Sequence, residues 1–361
     1  MAWTIYPPDG PHALVTSMIQ LKPLTDCNRA AFLDLLREPW QQHSWRGREH
    51  IVAWRFFDRP DDGAVTWLAM DGDTCVGMLD SMLRPYALNG QRILMRETAD
   101  WYTVSHLRSR GLGLRLLMHM KTYPEPNFVL GGTDINVNIL SKMRGWNRLP
   151  DATSFVLPLR LRGLAASWLR RKWRSKEPWL RLLPNAIPAK LPRKVAAPDG
   201  GVWRLVPKTE TIALPLPPSP GLTQLFEQKQ WEWLHQMPQD VARPIGIEFS
   251  CNGSIVGFSL SQIEPVSSGV DGRIMFLHGD AEHLPWVVSR TTQVLADCGV
   301  GFVRACVSTP AKLAAMEQVG YLKTRELACH WWPRTPAMPM MVDVGYLSVD
   351  DSFPYWNHRT K

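Results

Sequence analysis

One run in the first half of the chain gathers residues whose types and spacing could do chemistry: Asp100-Trp101-Tyr102-Thr103-Val104-Ser105-His106-Leu107-Arg108-Ser109-Arg110-Gly111-Leu112-Gly113-Leu114-Arg115. A strand pattern ends near Val104, a turn carries R-x-x-G-x-G, and an apolar helix pattern opens at Leu112. Successive backbone N–H groups in such a turn, backed by a helix N-terminus, make a concave seat for an anion. Glycines at 111 and 113 would let a ligand approach where a Cβ stands in the way. Arg108 and Arg110 bring charge suited to a diphosphate, and the amides of Ser109 and Leu112 belong to the same cradle. Upstream, Glu97, Asp100 and His106 could take a proton. Strand alternation puts Glu97, Ala99, Trp101 and Thr103 on one face and Thr98, Asp100, Tyr102 and Val104 on the other, an assignment that a bulge would reverse.

The elements that must position this run alternate between strand and helix. Residues 18–24 read as a strand, and Thr25 or Asp26 caps a helix carrying Ala30, Phe32, Leu33, Leu35 and Leu36. A second helix is expected over 48–57. Strands at 65–70 and 75–83 join at Asp71-Gly72-Asp73, and a longer strand covers 92–104 after Asn89-Gly90. Then follow a helix at 112–120, a strand at 127–130, a helix at 135–144 and a strand at 153–160.

The second half repeats the order of elements. A helix is expected over 222–235, strands at 245–250, 255–263 and 273–277, a helix over 283–298, a strand at 302–307 and a helix over 309–318. Its counterpart of the glycine turn, Gly279-Asp280-Ala281-Glu282-His283-Leu284-Pro285, lacks the glycine spacing and offers two acids where a diphosphate would sit. This half therefore reads as non-catalytic. His278 and His283 beside Asp280 and Glu282 read as a solvated helix start, and no metal is expected.

With these residues in view, the strand ending at Val104, the Arg108–Gly113 turn and a later helix closing in Gly145-Trp146 resemble the GCN5-related N-acetyltransferase (GNAT) superfamily. Trp54-Arg55-Phe56-Phe57-Asp58-Arg59-Pro60 and Asp100-Trp101 resemble bacterial members associated with polysaccharide or cell-surface synthesis. The resemblance covers about residues 15–161 by motif. It covers about 220–335 by element order and a closing Val319-Gly320-Tyr321.

It implies an α/β (α+β) fold of two tandem GNAT-like domains, each a mixed, mostly antiparallel sheet flanked by helices. Their expected bounds are 1–161 and 221–361, with a basic, Pro-rich linker at 162–220. It implies acyl transfer from acetyl-CoA or another acyl-CoA to a small-molecule amine, an amino sugar first among candidates, with no metal. Arg108, Ser109, Arg110, Gly111, Leu112 and Gly113 would hold the pyrophosphate, and the backbone at Thr103 and Val104 the pantetheine. Glu97 and Asp100 are the base candidates. Many members place a tyrosine four residues before the closing Gly-Phe, as the acid for the departing thiolate; here that position is Ser141, a weaker acid. Two other readings stay open: a donor that is aminoacyl-tRNA or an acyl-carrier protein, and a non-catalytic acyl-CoA-binding scaffold or sensor.

Composition bounds the rest. Hydrophobic residues are 45% and charged residues 20% of 361, which is globular rather than disordered. Cysteines at 27, 75, 251, 298, 306 and 329 form neither a disulfide framework nor a zinc pattern. The opening run Met1-Ala2-Trp3-Thr4-Ile5-Tyr6 is no export signal, so a cytoplasmic location is expected. Residues 160–194 carry eleven Lys/Arg and one acid, Glu177, so this segment alone exceeds the chain's net +8. Interleaved with Trp168, Trp173 and Trp179, it could lie on an anionic membrane surface (at the inner membrane), meet an acidic carrier protein, or pack between domains. Nucleic acid is the disfavoured partner.

Overall fold

The structure, a computed structural model, describes residues 19–40, 48–60, 63–160, 192–214, 221–266, 269–333, 339 and 341–345. Most of the basic segment, 161–191, and the proline cluster 215–220 lie outside the described residues.

In the first half, β1 (Gln20–Pro23) precedes α1 (Arg29–Trp40) and a short α2 (Glu49–Val52), which widens into a π-turn, Ala53–Phe57. Then come β2 (Val65–Asp71), β3 (Thr74–Leu88) and β4 (Gln91–Thr103). A 3-10 turn, Ser105–Arg110, leads into α3 (Leu112–Met120), β5 (Asn127–Leu130), α4 (Asp134–Lys142) and β6 (Asn147–Pro158). The entry to α1 is fixed by the Thr25 N–H donating to the Asn28 carbonyl oxygen Oδ1 at 2.8 Å. The start of α4 is fixed by the Asn136 N–H donating to Thr133 Oγ1 at 3.3 Å.

Four strands were not expected from sequence, two of them beyond the helix read at 309–318, at Leu322–Trp332 and Val342–Asp343. β7 (Gly201–Val206) lies in the stretch read as linker, and β8 (Leu222–Gln224) replaces the first turn of the helix expected over 222–235. That helix, α5 (Gln228–His235), starts only after Glu227. The remaining elements are β9 (Arg243–Cys251), β10 (Ser254–Val266), β11 (Gly269–Gly279), α6 (Leu284–Asp297), β12 (Phe302–Val307), α7 (Pro310–Val319), β13 (Leu322–Trp332) and β14 (Val342–Asp343). Among the described residues no helix is long and apolar enough to cross a membrane.

Among the described residues the strands form one 14-stranded sheet, ordered β1-β2-β3-β4-β5-β13-β6-β12-β11-β10-β9-β7 along its length. β8 attaches to the end of β3, with Tyr86 opposite Gln224. The expected pair of separate sheets is thus one continuous sheet, because the halves exchange strands. β6, from the first half, lies antiparallel to β12, with Phe155 opposite Ala305. β13, from the second half, lies between β5 and β6, with His330 opposite Val129 on one side and Arg148 on the other.

One apolar cluster belongs to both halves: Trp54, Tyr86 and Phe128 meet Phe226, Trp231 and Trp233. Trp54 and Trp233 stack at 4.5 Å, and each indole N–H donates to the other's backbone carbonyl at 3.0 Å. Burial of two large rings is the main gain, and the reciprocal bonds remove the polar cost that a buried indole N–H otherwise carries.

Strand exchange leaves neither half with a complete sheet. Residues 1–161 expressed alone should therefore fail to give a dispersed amide NMR spectrum, while the whole chain unfolds in one transition followed by far-UV ellipticity and tryptophan fluorescence alike. A well-dispersed fragment, or two resolved transitions, would show that the halves are independent.

Candidate active site

β4 and β5 run parallel and pair at Arg96–Asn127 and Glu97–Phe128. Beyond Phe128, β5 continues its pairing with β13 while β4 proceeds toward the 3-10 turn. The two strands thus form a fork with Glu97 at its apex. Further along β4 the pairing to β3 slips: Ala99 faces Asp80, but Tyr102 faces Met78, leaving Asp100 and Trp101 opposite Leu79 alone. Asp100 sits at φ +45° in this bulge. The plain alternation of faces from Glu97 to Val104 therefore breaks at Asp100.

Asp100 is held by Arg55. Arg55 Nη2 lies 3.4 Å from its Oδ2 and 3.2 Å from Asp80 Oδ2. Arg59 adds 2.8 Å to Asp80 Oδ1, which also accepts from Thr66 Oγ1 at 2.7 Å. Burial alone would raise the Asp80 pKa, but Arg59, Arg55 and the Thr66 hydroxyl outweigh it and hold the carboxyl below its ordinary range. The two aspartates and two arginines are a buried brace that fixes the bulge. This accounts for Arg55 and Arg59 in the sequence run Trp54–Pro60, and it gives Asp100 a structural partner.

Glu97 is 1% exposed. Its Oε1 accepts from the Tyr86 hydroxyl at 2.5 Å and from Gln224 Nε2 at 3.3 Å, and its Oε2 stands 3.9 Å from Arg84 Nε. Gln224 belongs to β8, so the second half reaches the apex of the first half's fork.

At the mouth of the fork, Gly111 adopts φ +71°, and nothing within 4 Å would meet a Cβ there. Its left-handed backbone closes the 3-10 turn and starts α3. The first-turn amides of α3 are left for other partners. Gly113 differs from the sequence reading. A Cβ on it would come within 2.8 Å of Trp101 Nε1, so this glycine makes room for an indole of the chain itself. Arg108 Nε donates to the Thr103 carbonyl at 3.1 Å, and its guanidinium lies 5.6 Å from the Tyr102 ring centre. The Val104 N–H is bonded to the Val76 carbonyl, and its own carbonyl accepts from Leu107. The backbone at Thr103 and Val104 is thus already engaged. Arg110 and His106 are exposed, and Leu112 is buried beneath the turn. Ser109 occupies the same turn.

Ser141 lies on α4, away from the Glu97 cluster in sequence and element. Its hydroxyl donates to the Val137 carbonyl at 2.8 Å, and His330 Nε2 stands 3.0 Å away. His330 comes from β13 and was not visible to sequence reasoning, since only the exchanged strand brings it there. Burial, then the neighbouring Arg148, pushes its pKa down to about 4, so it is neutral near pH 7. Gln224, Arg84, Tyr86 and Trp233 were equally unseen, because their proximity depends on long-range register.

The second half holds a matching fork, with β11 and β12 parallel from Asp271–Phe302 to Ile274–Ala305. The chain itself fills it. Gly345 passes so close to the carbonyls of Met275 and Cys306 that a Cβ would lie 2.9 and 3.3 Å from them. The segment is fastened by Ser308, which donates to the Val342 carbonyl at 2.6 Å and accepts the Val344 N–H at 2.9 Å, and by Lys312 with Asp343 at 2.5 Å. Asp280 and Glu282 at the adjoining turn are exposed, with His283 3.9 and 3.7 Å from them. Among the described residues no group of three metal-ligating side chains converges.

Replacing Asp80 with Asn should cost about 3–5 kcal/mol in denaturant unfolding, since it strips charge from a buried pair and leaves Arg55 and Arg59 undercompensated. Because the Asp80 pKa is depressed, its contribution is complete above the ordinary carboxylate pKa and is lost as pH falls through its lower folded value. His330 acts in a higher window. Its stabilising neutral form is favoured above 6.5, and stability falls from there toward about 4. His330→Gln should flatten that part of the unfolding midpoint's pH dependence, and an unchanged slope would refute the assignment.

No family model and no curated protein matches this sequence. Solved structures do. A GCN5-related N-acetyltransferase from Anabaena variabilis superposes with a TM-score of 0.55 at 9% identity, over 87% of this chain and 72% of that one. A tandem GNAT protein from the clavulanic acid biosynthesis pathway gives 0.53 at 12%, over 89% and 100%. Saccharomyces cerevisiae N-myristoyltransferase with bound myristoyl-CoA gives 0.52 at 12%, over 92% and 86%. The chain thus shares the fold of these acyltransferase structures, among them a tandem GNAT protein that it matches along that protein's whole length.

Proposed function

We propose that the chain transfers an acyl group from acyl-CoA to an amine, and that the reaction takes place in the fork of the first half. The observation that carries this reading is the fork itself: β4 parts from β5 at Glu97, and its open end leads to the left-handed, uncovered Gly111 before α3. This geometry fits a long, narrow thioester with a charged end. Arg110, Arg108 and the amides from Gly111 onward would hold the pyrophosphate. The thioester supplies the activated carbonyl.

Glu97 sits where the attacking amine must shed a proton. It takes that proton as the amine nitrogen bonds to the acyl carbon and the carbon–sulfur bond breaks. Tyr86 and Gln224 keep its carboxylate aimed while it does so. Asp100, tied to Arg55, shapes the bulge rather than accepting the proton. Ser141 is the hydroxyl of this chain at the family's acid position, with His330 behind it. Acetyl is the first donor to test, and an amino sugar is the first acceptor the sequence resemblance puts forward. Myristoyl-CoA belongs in the same test, because one structural neighbour holds it. The second half, its fork filled by residues 342–345, supplies walls rather than a second coenzyme site.

Titration calorimetry should therefore give one CoA per chain, and Gly111→Val should weaken binding by obstructing the turn. Thiol release from acetyl-CoA and longer acyl-CoAs should appear with at least one amine. Glu97→Gln should lower kcat by roughly 10²–10⁴ while leaving CoA affinity intact. Failure to bind any CoA would overturn the reading.

A further inference from the structure

The polar groups around Glu97 are incomplete in a patterned way. Arg84, on β3, is 1% exposed. Its Nη2 donates to the thioether of Met82 at 3.2 Å, a weak acceptor, and its guanidinium lies 5.5 Å from the Trp233 ring centre. Its Nε and Nη1 make no hydrogen bond among the described residues. Other buried arginines of the first half are served better. Arg55 and Arg59 have Asp80 and Asp100, and Arg96 has Glu125 at 2.9 Å and the Gly63 carbonyl at 2.8 Å. A buried guanidinium short of acceptors is costly. Beside it, Gln224 is also 1% exposed; its Nε2 is spent on Glu97, and its Oε1 accepts from nothing among the described residues.

The polar groups gathered here are complementary in sign, with Gln224 Oε1 and Arg84 Nε and Nη1 the ones left without a hydrogen bond among the described residues. Glu97 and Gln224 Oε1 are acceptors, as an ammonium would need. Arg84 Nε and Nη1 are adjacent donors, as a carboxylate would need. The two poles are 3.9 Å apart between Arg84 Nε and Glu97 Oε2. A ligand bridging them carries its amine and its acid group one or two carbons apart.

We propose that the acceptor is an amino-acid-like amine, whose carboxylate is bound by Arg84 while its amine is received by Glu97 and Gln224. This rests on the acyl-transfer reading above and narrows it, since an amino sugar without an acid group offers Arg84 hydroxyl acceptors but no opposite charge. Gln224 and Trp233 enclose the set from the second half, so the acceptor is held between the halves rather than on one of them.

The test uses the full chain with the acyl-CoA it turns over, and compares each common amino acid with its own carboxamide and with glucosamine. The expected result is that at least one acid is preferred over its carboxamide by about 100-fold or more in kcat/KM. Arg84→Met should collapse that ratio toward one without changing CoA affinity. Arg84→Lys, which keeps the charge but loses the fork of donors, should fall between. Equal use of acids and carboxamides by the unaltered protein overturns the proposal without needing any variant. Should CoA bind but no amine be acylated, calorimetry of the same acids and carboxamides with CoA present decides separately. Arg84-dependent binding of acids alone upholds the zwitterion site and removes the catalytic reading; acids and carboxamides binding alike, or not at all, removes the site.

Discussion

The stacked pair of Trp54 and Trp233, each donating its indole N–H to the other's backbone, is the contact on which the rest of the arrangement depends. Trp54 sits in the π-turn that also carries Arg55, and Arg55 braces the bulge through Asp80 and Asp100. Trp233 sits on α5 and covers Arg84, two residues along β3 from Met82, the residue opposite Glu97. One interlocked pair thereby sets both the shape of β4 and the wall over the buried Glu97 carboxylate. Packing and chemistry meet in a single apolar cluster, and the many tryptophans of the chain find one of their uses there.

Much of the fold was legible because it is local. The helix at 112–120, the strand at 127–130 and the β2–β3 hairpin follow from periodicity and turn chemistry and appear where expected. The glycine turn was legible as a place, though not in full as a mechanism. Gly111 is open, whereas Gly113 yields its space to Trp101, a contact across the bulge that spacing alone cannot show. Glu97 was nameable from its position on the strand, but its shell was not. Tyr86, Arg84 and Gln224 reach it through the register of β3 with β4 and β8, and register is set by tertiary packing. The same reason hid β7, β8 and the meeting of His330 with Ser141.

The two forks show how one fold can serve two ends. In the first, β4 and β5 separate and the adjoining turn presents arginines and an uncovered glycine. In the second, residues 342–345 lie where strand backbone faces strand backbone, and Ser308 and Lys312 fasten them. Asp280 and Glu282 stand exposed at the turn that adjoins this filled cleft.

The exchange of β6 and β13 also has a temporal side. During synthesis β6 emerges long before its neighbours β12 and β13 exist, so its apolar residues Phe155 and Leu157 must wait for more than a hundred residues of further chain. Pairings between segments so distant in sequence close slowly, and an unpaired strand invites other chains meanwhile. The interval between the two halves leaving the ribosome is therefore a period of exposure, and the yield of soluble protein in a cell should depend on translation speed and chaperone supply more than the stability of the finished sheet would suggest.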